Sequence, residues 1–164
     1  MRPRRHDARE GRTKKKVSSS CIFVGFAFSW YVSSGHAQTA VSKPVTYKSL
    51  EMSVASVDRA PSASLKDCPP GGNTVNAMSR PGEEFAVVTV KFKVLPGFEP
   101  TPMKRPVLTD AAGKTYNTAV SFVDVGSVPE FSCAIPFRVP AGTAVKSLQI
   151  DNASLDLTSA ETKK

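Results

Sequence analysis

Polar and apolar positions alternate with a period of two over several short stretches of this chain. Leu50, Met52 and Val54 alternate with Glu51, Ser53 and Ala55, and Val57 resumes the apolar side after one extra residue. Successive side chains of a strand point to opposite faces, so this pattern predicts a half-buried strand carrying a bulge. Val88, Val90, Phe92 and Val94 alternate with Thr89, Lys91 and Lys93 and form the best strand in the sequence. It opens with Phe85, Ala86 and Val87, apolar on both faces, which predicts a central place in a sheet. Residues 107–109 and 115–117 flank a segment with Asp110 and Gly113, a hairpin signal. Phe131, Cys133, Ile135, Phe137 and Val139 share one face of another strand. Pro136 within it has no N–H to donate, which predicts a free edge or a bulge there. Val145, Leu148 and Ile150 mark a further strand and residues 155–157 a last one. No apolar pattern of period 3.6 lasts three turns.

About seven short strands separated by turn residues predict an all-β chain, an antiparallel β-sandwich, with a small barrel as the alternative. Residues 38–46 read as a flexible lead, 47–158 as one domain and 159–164 as a polar tail.

Charge changes the picture of the N-terminus. The 164 residues hold 22 Lys and Arg against 14 Asp and Glu, a net charge of +8. Eight of the basic residues and only Asp7 and Glu10 of the acidic ones precede residue 17. An uncharged apolar run over 22–32 follows, then Gly35 and Ala37 in a small-x-small arrangement. A basic head, a short apolar middle and a small-residue end are the parts of a secretory signal peptide, here residues 1–37. The run is shorter than the roughly 20 residues a membrane span needs, so no transmembrane segment is expected after processing. Cleavage after Ala37 leaves 14 basic and 12 acidic residues and removes both histidines, His6 and His36, and the tryptophan, Trp30. A net charge of +2 argues against a nucleic-acid partner. Histidine-dependent nucleophilic catalysis, catalytic zinc sites and His-ligated haem are excluded for the processed chain.

Cys68 and Cys133 remain after processing. An even cysteine count in an exported chain predicts a disulfide between them, two buried free thiols being the alternative. Two loops are candidate contact surfaces. One is residues 68–73, read more simply as a turn anchored by its cysteine. The other holds Phe98, Met103, Lys104 and Arg105 among prolines, a candidate interaction loop, with Phe98 folded onto the core as the alternative. Glu83 and Glu84 are adjacent on a strand and face opposite ways, which is poor geometry for shared acid–base work.

The phrases Gly82-Glu83-Glu84-Phe85-Ala86-Val87-Val88-Thr89-Val90-Lys91-Phe92, Leu108-Thr109-Asp110-Ala111-Ala112-Gly113-Lys114-Thr115-Tyr116 and Ile135-Pro136-Phe137-Arg138-Val139-Pro140 resemble a family of small exported bacterial domains of unknown function. That family is grouped with the mycobacterial immunoprotective extracellular antigen. The resemblance covers about residues 47–157 and implies an immunoglobulin-like β-sandwich, with no catalytic residues to carry over. An antibody-type domain would place a tryptophan between the two cysteines, and none stands there.

These readings predict a periplasmic or secreted, non-catalytic binding or interaction module. Its partner would be a protein, a glycan or an envelope component. A histidine-free enzyme using carboxylates such as Glu83, Glu84 or Asp124, or a purely structural envelope protein, are the alternatives. The enzyme would need a concave pocket with two converging carboxylates, which is not expected here. No catalytic residue, cofactor or metal is assigned.

Overall fold

The computed structural model describes residues 42–72 and 74–161. The expected signal peptide at 1–37, lead residues 38–41, Asn73 and tail residues 162–164 lie outside the described residues. Ten strands follow one another: β1 (Val45–Tyr47), β2 (Leu50–Ala60), β3 (Ser62–Leu65), β4 (Val75–Met78), β5 (Glu83–Val94), β6 (Val107–Asp110), β7 (Thr115–Asn117), β8 (Glu130–Pro140), β9 (Val145–Ile150) and β10 (Ala153–Asp156). Among the described residues there is no helix, and so none long and apolar enough to cross a membrane.

The strands form two four-stranded antiparallel sheets, in the orders β1-β2-β5-β8 and β10-β9-β6-β7, and a separate hairpin, β3-β4. The best strand of the sequence, β5, is central, between β2 and β8. The extra residue read before Val57 is a bulge in β2, where the register with β5 shifts between Val54 and Ser56. Leu50, Met52, Val54 and Val57 all remain buried because the bulge restores the alternation.

Both sheets contribute to one hydrophobic cluster. From the first come the inward residues of β2, β5 and β8. From the second comes a row across the sheet in which Leu155 pairs Leu148, Leu148 pairs Leu108 and Leu108 pairs Tyr116. Phe92 lies stacked on Phe131, with ring centroids 4.8 Å apart and planes 9° from parallel. Each fully buried large side chain contributes about 1.5–3 kcal/mol relative to exposure.

Pro136 lies on β8, the last strand of its sheet. The Thr118 hydroxyl donates to the Pro136 carbonyl at 2.8 Å, so that carbonyl points away from β5. The nitrogen and carbonyl of one strand residue face the same side, so the missing N–H falls on the free edge.

Three strands depart from the expected seven. β1 extends the fold into the supposed lead, and Ser42 is buried, its hydroxyl accepting from the Val54 N–H at 3.0 Å. The β1–β2 turn is made by Lys48 and Ser49 at φ 47° and 57°, without the Asn-Gly or Asp-Gly pair that signals such a turn. β3 and β4 are half-exposed and lack an apolar alternation. The tail boundary also moves. Ala160 is buried and its carbonyl accepts from the Val57 N–H at 3.3 Å, because residues 157–161 fold back along the open edge of β2.

The hairpin expected around Asp110 is β6–β7. The buried Asp110 carboxylate accepts from the Lys114 N–H at 2.8 Å and from the Tyr116 hydroxyl at 2.9 Å. Burial pushes its pKa up, but hydrogen bonds from Lys114, Tyr116 and Ala112 outweigh this and hold it below the ordinary carboxylate value. A carboxyl with a depressed folded pKa stabilises the fold above its unfolded value, about 3.9, and that contribution is lost as pH falls through the folded value. The urea midpoint should therefore fall more steeply below about pH 4 in the wild type than in Asp110→Asn. Parallel curves for the two proteins would contradict this assignment.

Candidate functional site

The strand register sets which turns share an end. β2 begins where β5 ends (Leu50 pairs Val94), β8 begins there too (Glu130 pairs Lys93), and β10 begins where β9 ends (Ala153 pairs Ile150). The connections 95–106 and 118–129 and the turn at 151–152 therefore gather at one end. The Lys104 N–H donates to the Asp151 carboxylate at 2.9 Å, tying two of them together.

The four residues of the expected interaction loop separate in this arrangement. Phe98 and Met103 are half-buried and pack against the core, whereas Lys104 and Arg105 are exposed. Gly126 gives the Phe98 ring its place: a β-carbon there would come within 2.7 Å of the ring, and its φ of +104° is one that side chains rarely adopt. Phe98 thus belongs to packing and leaves Lys104 and Arg105 as the surface part of the loop. Phe98→Ala should cost about 2 kcal/mol, less than a fully buried phenylalanine. An unchanged melting temperature would return Phe98 to the contact surface.

Cys68 and Cys133 are joined by a disulfide, with Cα atoms 5.7 Å apart. The Cys68 N–H donates to the Ser121 carbonyl and the Val123 N–H to the Cys68 carbonyl, both at 2.9 Å. The segment 67–72 is thereby tied at Cys68 to the 118–129 connection. A depression of about 570 Å³ lies between them, lined by Pro69, Pro70, Val123, Val128, Phe131 and the carboxylate residues Asp67 and Asp124, among others. Residues 69–72 of the candidate loop thus line it. Val123, Asp124 and Val128 complete it. Its sequence trace is a run of valines at 123, 125 and 128 around Asp124 and Gly126, which carries no strand or turn pattern of its own.

No family model, characterised protein or solved structure matches this chain.

A second concavity lies at the opposite end of β2 and β5. It is an open groove of about 860 Å³, and Arg59, Glu83, Glu84, Gly142 and Glu161 are among its lining residues. The expectation that no concavity would hold converging carboxylates is corrected here, because Glu84 and Glu161 both reach Arg59. Residue 161 lies in the expected tail, and only its return along β2 brings it into the groove.

The carboxylates are nonetheless engaged. Arg59 donates to Glu84 at 3.2 Å, to Glu161 and to the Thr143 carbonyl. Glu84 also accepts from the Gly142 N–H at 3.0 Å. A guanidinium stays charged at any ordinary pH, so these two acids serve as its acceptors and knit β2, β5, the β8–β9 turn and the C-terminal segment together. Glu83 turns instead towards Arg138, with oxygen and nitrogen 3.6 Å apart, as expected for neighbours on a strand. Asp124 lies at the other end, so the structure does not bring it together with Glu83 or Glu84. Among the described residues no group of three or more His, Cys, Asp or Glu is placed to hold a metal ion.

Proposed function

We propose that this chain is an exported immunoglobulin-like module that works without catalysis, by binding a protein, a glycan or another envelope component through its loop-bearing end. The observation that carries this reading is the convergence of the 67–72, 95–106 and 118–129 segments at one end of two sheets with a shared core. Rigid frameworks that present loops at one end are a recurrent solution for recognition.

The strand order supports the immunoglobulin-like part of the reading. Taking β2, β5 and β8 as strands A, B and E, and β6, β7, β9 and β10 as C, C′, F and G, yields the sheets A-B-E and G-F-C-C′. β1 and the β3–β4 hairpin are then additions. The cross-link joins the inserted hairpin to strand E rather than B to F, so it is not the bridge of antibody domains. Export is supported by that disulfide, which fits an oxidising compartment, and by the three-part N-terminal pattern. A surface role is supported by Arg59, which keeps Glu84 and Glu161 as ion-pair partners.

Affinity capture from the envelope fraction of the producing cell tests this reading. Wild-type protein and an Asp58→Lys variant at the groove end should retain a common partner. Lys104→Glu/Arg105→Glu should lose it while melting at the same temperature. Capture that survives the loop-end change but not the groove-end change would overturn the reading, as would the absence of any specific partner.

A further inference from the structure

We propose that the depression between residues 67–72 and 123–131 binds a peptide segment that presents an apolar side chain beside a lysine or arginine. This rests on the interaction-module reading and names the chemistry of the partner.

Four large hydrophobic residues stand exposed among the described residues, and two of them, Val123 at 46% and Val128 at 39%, line this one depression. Single exposed valines are ordinary, but two that line one depression together with Pro69, Pro70 and Phe131 give it a largely apolar lining of the kind that contacts other molecules. Its volume of about 570 Å³ lies in the range of small-ligand sites.

One anchor point of each wall is set before any partner arrives. The disulfide holds Cys68, the paired backbone of Cys68 with Ser121 and Val123 aligns the two segments, and the Ser127 N–H donates to the Asp124 carbonyl at 3.1 Å to close a turn. A binder that is already ordered loses less entropy on association.

Charge decides the class of occupant. Asp67 and Asp124 are exposed on the lining, which holds no lysine or arginine. Among the described residues neither takes part in an ion pair. Two carboxylates beside an apolar lining complement a cation carried next to an apolar group, and they repel phosphate and anionic lipid surfaces. A neutral sugar would leave both carboxylates without a counter-charge and would meet one side-chain donor in the lining, the Ser127 hydroxyl.

The test uses two fluorescent nonapeptides with Gly-Ser flanks, one with a central Leu-Lys pair and one with Leu-Glu. The Leu-Lys peptide should bind at least about tenfold more tightly, and its affinity should weaken as salt rises from about 0.05 to 0.5 M. Asp67→Asn/Asp124→Asn should weaken it about tenfold, the scale of two partly exposed charge pairs. Val123→Ser/Val128→Ser should abolish binding without lowering the melting temperature, because both side chains are exposed. Equal binding of the two peptides, no binding of either, or full affinity in the double asparagine variant would overturn the proposal. Capture through Lys104 and Arg105 reads the module separately. A captured partner alongside peptides that fail to bind sinks only this inference, and the loss of both sinks the broader reading as well.

Discussion

Cys68→Ala/Cys133→Ala is expected to lower the stability of the processed protein by about 4 kcal/mol. The two cysteines are 65 residues apart in sequence, and closing a loop of that length removes much of the freedom of the unfolded chain. For a domain of this size the melting temperature should drop by roughly 15 °C. The loss should also be uneven. β3–β4 is a two-stranded hairpin with half-exposed side chains, and a hairpin of that kind is marginal alone. Without the bridge, amide exchange should rise first at β3, β4 and residues 66–72. Wild-type protein melted in reductant should behave like the double variant. A shift of less than about 2 °C in either case would show that the bridge contributes little.

Phe92→Ala should cost about 3–5 kcal/mol, the range for a large aromatic lost from a core. Phe92 is 2% exposed, stacks on Phe131 and meets the Phe122 ring edge-on at a centroid distance of 5.8 Å. It also lies opposite Met52 on the neighbouring strand. Removing it opens a cavity on the inner face of the first sheet near its loop-bearing end and leaves two aromatic rings without their partner. Phe92→Leu keeps most of the volume and should cost far less, about 1–1.5 kcal/mol. Urea unfolding of both variants separates the two effects: similar losses would mean that aromatic geometry, not cavity volume, sets the cost.

The strands that bury one face were legible in the sequence because burial writes itself as a period of two. β2 with its bulge, β5, β8 and the hairpin around Asp110 all follow from that rule. The edge position of β8 followed from Pro136, which cannot donate from the middle of the strand. β1, β3 and β4 were not legible, for physical reasons that differ. β1 is three residues long and closed by Lys48 and Ser49 in a conformation their side chains do not advertise. β3 and β4 bury little, and Ser64 donating to the Asn76 side chain at 2.8 Å is a link that hydrophobic patterning does not register.

The candidate sites were half legible. Residues 68–73 stood out through cysteine, proline and glycine. Their counterpart at 123–128 did not, because it is recruited through backbone hydrogen bonds from Ser121 and Val123, more than 50 residues away. The Arg59 groove was missed because it needs Glu161, which reads as part of a polar tail until the Val57 N–H is seen donating to the Ala160 carbonyl. Phe98 was ambiguous between surface and core. The small space left by Gly126 decides it, and that space is a tertiary property.

Recognition at the loop-bearing end is tested most directly by site-specific photo-crosslinking in the producing cell. A photoreactive side chain is placed in turn at Arg105, at Val128, at Lys91 on the outer face of β5 and at Asp58 beside the groove. One discrete adduct is expected from positions 105 and 128 and none from 91 and 58. An adduct confined to position 58 or 91, or no adduct from either loop position, would contradict recognition at that end.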